Sequence, residues 1–70
     1  MKGYLTVLEK GPHNWSAFVP DLPGCVAAAE DKVKTEQLIH EAIVLHIKGL
    51  REDGIAVPEP LAEAAVVVVA

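Results

Sequence analysis

The sequence predicts an α+β domain of two layers, in the order β-β-β-α-β, with one long helix packed across a small sheet. Three observations carry this reading. Short β-prone runs before position 30 are punctuated by Gly, Pro and Asn. A single stretch from about Asp31 to Asp53 repeats apolar residues at three- and four-residue steps, the period of an amphipathic helix. Beyond a proline-bracketed linker, a β-branched run, Val66 to Val69, ends the sequence.

The first strand spans Tyr4 to Leu8, with Leu5 and Val7 on one face and Tyr4, Thr6 and Leu8 on the other. Apolar groups on both faces predict a strand inside the sheet rather than at its rim. Lys10 to Asn14 contains Gly11 and Pro12 and reads as a hairpin loop. Trp15 to Val19 is the second strand, with Trp15, Ala17 and Val19 on one face and Phe18 on the other. Pro20 and Pro23 then each fix φ and remove a ladder donor, so this strand cannot continue. Asp21 can hydrogen-bond to nearby backbone, and Gly24 supplies a sharp bend. Cys25 to Ala29 is a third strand whose small side chains let a helix lie close above it.

Asp31 is the expected N-cap. Ile39, Ala42, Ile43, His46, Ile47 and Leu50 form the apolar stripe of the helix, and Gly54 is its expected stop. Lys48 and Arg51 sit near the negative end of the helix dipole. Roughly 22 residues rising about 1.5 Å each give a helix of about 33 Å, enough to cross the sheet. Pro58 and Pro60 bracket an extended linker, and a C-terminal strand is expected over about 64–69.

Seventy residues make one domain, 1–70, with a core expected over about 4–60. A chain of this size buries only about 60% of its unfolded surface. Hydrophobic residues are 51% of the total, yet Tyr4, Trp15 and Phe18 are the whole aromatic complement. Burial supplied by a second chain eases that shortage, so a homo-oligomer, dimer or higher, is expected. The formal charge of −4 and the scattered basic residues (Lys2, Lys10, Lys32, Lys34, Lys48 and Arg51) argue against direct nucleic-acid binding. No apolar run approaches the roughly 18 residues that span a membrane, and no signal segment is recognisable at the N-terminus. The single cysteine, Cys25, has no intrachain disulfide partner. The expected location is the cytoplasm.

The segment Val19-Pro20-Asp21-Leu22-Pro23-Gly24-Cys25, together with the stretch C-terminal to it, resembles the HicB family of bacterial antitoxins. The similarity includes Glu41-Ala42-Ile43, Leu45-His46 through Gly49-Leu50, Glu52-Asp53-Gly54 and Pro58-Glu59-Pro60, and covers about Tyr4 to Pro60. The resemblance implies a partial ribonuclease-H-like sheet crossed by one helix, and a partner: HicA, a short RNA-cleaving toxin that these proteins bind and silence. The first helical turn departs from the pattern, with Thr35 and Glu36 where Leu or Ala is usual. Glu36 lies on the stripe of Ile39, Ile43 and Ile47, which predicts a displaced or partly solvated first turn. Many relatives continue into a DNA-binding helix-turn-helix or ribbon-helix-helix module. This sequence stops at Ala70, so no DNA-binding module and no operator binding are carried over.

The residues offer little catalytic chemistry. Two-metal catalysis needs converging carboxylates. Of the acids, Glu9 ends a strand, Asp21 sits in a corner and Glu41 is mid-helix. His40 and His46 are six residues apart, about 240° around a helix, and cannot share an ion as an i, i+4 pair does. His13 stands in a loop, and His46 is most simply a packed histidine. Cys25 lacks clustered positive charge and reads as a small buried residue. No catalytic residue, cofactor or metal ligand is assigned.

The valine run has two readings: a strand beneath the helix in its own sheet, which is favoured, or an edge strand that pairs with another chain. Trp15 is core filler by default and an interface anchor if its face is uncovered. The reading is therefore a non-enzymatic, HicB-like antitoxin domain that binds and occludes a HicA-type toxin. The alternative is a stand-alone structural or regulatory oligomer of the same fold without a toxin. The corner Val19–Cys25 is expected to be structural. Glu52, Asp53, Val67 and Val69 are the expected partner or self-association contacts.

Overall fold

The computed structural model describes residues 3–70. Three strands, β1 (Val7–Lys10), β2 (Trp15–Phe18) and β3 (Val26–Ala29), precede one helix, α1 (Lys32–Glu52). The sheet is antiparallel in the order β1-β2-β3. The α+β class, the two layers and the single helix agree with the sequence reading.

The hairpin loop fixes the register. Gly11 N–H donates to the Asn14 carbonyl at 2.7 Å, so pairing begins at Lys10↔Trp15 and runs back to Val7↔Phe18. There β2 ends, because Val19 leaves the ladder and its N–H turns to the Cys25 carbonyl at 3.2 Å. Tyr4 to Thr6 therefore lie beyond the end of β2, and β1 starts later than the expected Tyr4–Leu8. Nor is β1 internal. It is a rim strand, and β2 is the centre. Apolar groups on both faces misled here because the outward face is apolar as well.

The register aligns Leu8, Ala17 and Ala27 beneath the helix and sends Val7, Phe18 and Val26 to the opposite face as a row across all three strands. One sheet face is thus covered and the other is open, as an antiparallel sheet permits. Ala17, Val19, Leu22, Cys25 and Ile39 are buried. Tyr4, Leu8, Ala27, Ala42, Ile43 and Ile47 pack around them. The helix lies chiefly over β3 and β2 and touches β1 least. Ala27 and Ala29 explain the preference: small side chains let the helix settle on that side, leaving the β1 flank thinly roofed.

α1 starts and stops where its caps dictate. The Asp31 carboxylate accepts from Lys34 N–H at 2.7 Å, satisfying one free amide of the first turn. At the other end Gly54, at φ +69°, donates to the Arg51 carbonyl while Ile55 N–H reaches the Leu50 carbonyl at 2.8 Å. This pair of bonds is a Schellman stop. The first turn is in place rather than displaced. Thr35 is fully buried, its hydroxyl donating to the Asp31 carbonyl at 2.8 Å, with the Trp15 carbonyl at 3.5 Å. Glu36 turns outward and lies 4.0 Å from Lys32. A threonine serves in the core here because its hydroxyl finds acceptors close by.

The fourth strand expected over about 64–69 does not form. Among the described residues, none of Val66 to Val69 joins the sheet, and they are 94%, 79%, 90% and 84% exposed. After Gly54 the chain has no regular structure. It is held at the β2–β3 corner, where the Asp21 carboxylate accepts from Leu61 N–H at 3.0 Å and Ala62 N–H at 2.9 Å. From this point, at the end of the strands, no sheet edge receives the tail. β-branching favours a strand only where a ladder partner is within reach.

Candidate partner-binding surface

The corner Val19–Cys25 is a self-closed loop. Besides the Val19–Cys25 bond, Leu22 N–H donates to the Val19 carbonyl and Cys25 N–H to the Leu22 carbonyl, each at 3.0 Å. Val19, Leu22 and Cys25 point into the core, Leu22 with no exposed surface, whereas Pro20, Pro23 and Gly24 face solvent. Gly24 adopts φ +85° with open space where a Cβ would stand, so backbone conformation rather than crowding selects glycine. Burial pushes the Cys25 thiol above its ordinary pKa, which disfavours the thiolate a nucleophile needs.

Asp21 has a long-range task that the sequence did not reveal. It grips consecutive main-chain amides 40 and 41 residues further on and fixes where the tail leaves the domain. Tyr4 does the same one step earlier, its hydroxyl donating at 2.6 Å to the Pro58 carbonyl, 54 residues away. No local sequence pattern marks pairs so distant.

Of the other contacts expected from sequence, Glu52 and Asp53 sit side by side at the exposed helix exit. Glu52 Oε1 lies 4.0 Å from Lys48 Nζ, a solvent-screened pair of little energetic weight. Asp53 is the C-cap, its N–H bonded to the Gly49 carbonyl at 3.1 Å. Val67 and Val69 are in the tail, apart from that acidic exit in sequence and exposed. Trp15 is half-buried at the covered face, with the Lys32 ammonium 5.9 Å from its ring centroid, a cation–π distance. It is a lid over the core edge rather than an open anchor.

A concavity of about 500 Å³ is lined by Tyr4, His40, Ile43, Val44, Ile47, Arg51 and Val57. Val44 is 55% exposed and Leu45, its neighbour on the outer helix surface, 67%. The concavity is an open, largely apolar groove between the helix, Tyr4 and the linker at Val57, with cationic Arg51 in its lining. Sequence periodicity could not find it, since it arises from where the helix sits on the sheet.

Among the described residues no group of three or more His, Cys, Asp or Glu could hold a metal ion. His13 and His40 are exposed and His46 is half-buried on the helix. No helix among the described residues is long and apolar enough to cross a membrane. The surface is therefore equipped for contact: an open apolar sheet row, an apolar groove, an acidic helix exit and an exposed valine tail.

Residues 4–68 match the family described as HicB-like antitoxin of the bacterial toxin–antitoxin system. No curated protein and no solved structure matches the chain. The matched stretch contains the corner, the whole helix, the linker and three of the four valines. The family is non-catalytic, and membership in it implies a toxin partner. By the sequence match over residues 4–68, this chain belongs to the HicB-like antitoxin family.

Proposed function

We propose that the protein binds a small, basic, mRNA-cleaving toxin of the HicA type in the cytoplasm and occludes its catalytic histidine and RNA-binding surface. The observation that carries this reading is the family match over residues 4–68. It is supported by a net charge of −4, which complements a basic partner. Inhibition by occlusion needs complementary shape and charge, and no reactive group of the antitoxin.

Glu52 and Asp53 are the proposed toxin contacts. They stand exposed at the helix exit, next to the Schellman stop made by Gly54 and Ile55. Charge at such a site acts mainly on the association rate and falls with salt. The test uses a purified HicA-type toxin and an RNA substrate. Equimolar antitoxin is expected to abolish cleavage, and Glu52→Lys with Asp53→Lys to slow association about tenfold at low salt. Undiminished cleavage with a toxin encoded beside this chain would exclude the reading.

A further inference from the structure

We propose that the open face of the sheet is where a basic protein partner docks, with Phe18 and Val26 at the apolar centre and Glu9 and Glu30 on an acidic margin. The proposal rests on the toxin reading above and names the face that carries most of the affinity.

The register lays two rows across this face. Val7, Phe18 and Val26 form one, and Glu9, Ser16 and Ala28 the next. Phe18 is 39% and Val26 64% exposed, and all of the second row is exposed. Glu30 continues the Val26–Ala28 alternation one step past β3 and is exposed too. The helix packs on the other face, where Ile39 meets Ala17 in the core. An apolar centre with a charged margin on one side is the anatomy of a protein interface. Phe18 stands on the central strand, the place in such a surface where binding energy concentrates.

Charge selects the occupant. The described cations are Lys10, Lys32, Lys34, Lys48 and Arg51. Four of them belong to α1, on the far side of the sheet. Lys10 shares its row with half-buried Trp15 and Ala29, on the covered face. Among the described residues the open face therefore carries acids and no cation. The helix exit mixes its signs, since Glu52 lies 4.0 Å from Lys48 and follows Arg51. An acidic, apolar face repels nucleic acid. A second copy opposing the same face brings like charges together. A partner with an apolar centre and Lys or Arg beside it matches both rows. The exit acids Glu52 and Asp53 then act on encounter, and the sheet face holds the complex.

The experiment uses the full chain and a purified HicA-type toxin encoded beside it, with association and dissociation rates followed by surface plasmon resonance. V26K places a charge in the apolar row at an exposed position and is expected to weaken binding about 30-fold or more, chiefly through faster dissociation. F18A is expected to act in the same direction. E9K/E30K is expected to slow association about tenfold at low salt and less at high salt. V44K, exposed on the helix, serves as the control and is expected to stay within about twofold. Unchanged circular dichroism shows that each variant is folded. An unmodified protein that fails to bind the toxin would sink the toxin reading and this proposal together. A parent that binds, with V26K and F18A within twofold of it or V44K the damaging change, would overturn the docking face alone. So would a parent that light scattering shows to be a dimer and V26K makes monomeric, since the face would then be filled by a second copy.

Discussion

Two segments of this chain begin alike and end differently. Val19-Pro20-Asp21-Leu22-Pro23 and Val57-Pro58-Glu59-Pro60-Leu61 both follow a regular element with Val-Pro-acid and place a leucine close behind. In the first, Leu22 has no exposed surface; in the second, Leu61 is 78% exposed. The first closes on itself through three main-chain bonds, which aim Leu22 inward. The second is held from outside, by the Tyr4 hydroxyl on Pro58 and the Asp21 carboxylate on Leu61 and Ala62. Proline fixes local direction in both, but burial follows from where the loop's own hydrogen bonds go. The dependence also runs one way, since the second segment leans on the first.

The sharpest break of this contrast exchanges the leucines for alanine one at a time. Leu22→Ala empties a fully buried site and is expected to cost about 3 kcal/mol, a large part of the stability of so small a domain. Leu61→Ala is expected to stay within about 0.5 kcal/mol. Urea unfolding followed by circular dichroism reads both. Equal losses would show that the second segment is packed in solution.

Cys25 gives a second handle on the closed corner. The native thiol at pH 8 is expected to react with an aromatic disulfide on the order of 100-fold slower than in denaturant, as for a group exposed only by opening. Because its folded pKa is raised above the ordinary 9.0, the stabilisation is whole below that value and is lost as pH climbs through the raised one. A stability profile that stays flat well above pH 9, or rapid native labelling, would contradict the buried setting.

Smaller effects come from the corner's backbone and from its grip on the tail. Gly24→Ala forces a Cβ into φ +85° without a steric clash and is expected to cost about 1 to 2 kcal/mol. Asp21→Ala removes two charge-assisted bonds at a partly solvated site, for about 1 kcal/mol. Its signature is local: faster amide exchange at Leu61 and Ala62 with β2 and β3 unchanged. Smallest is Lys48→Ala, which breaks an exposed pair at 4.0 Å and is expected to shift stability by less than about 0.5 kcal/mol.

How much the sequence disclosed depends on the range of the forces involved. The helix was legible to within a residue at each end, because Asp31, the Ile39–Leu50 stripe and Gly54 all act within a few positions. β2 and β3 were placed by the prolines between them. β1 was misplaced because its ends are set by the Gly11–Asn14 turn and by the departure of Val19, events on the partner strand. The fourth strand failed for the same kind of reason. Val66–Val69 has the composition of a strand, but composition cannot say whether a ladder partner lies in the same chain. Of the candidate contacts, Glu52 and Asp53 could be placed at an exposed helix exit from sequence. The groove along Val44 and the Asp21 link could not, since each depends on the relative seating of distant elements.

The Asp21 link has a practical consequence. The carboxylate holds the amides of Leu61 and Ala62, not their side chains, so the anchor is blind to which residues stand there, proline excepted. The domain thus presents a socket of fixed position for interchangeable trailing sequences. A peptide tag, a linker or a second domain grafted after Ala62 would leave the body from the same point and in the same initial direction.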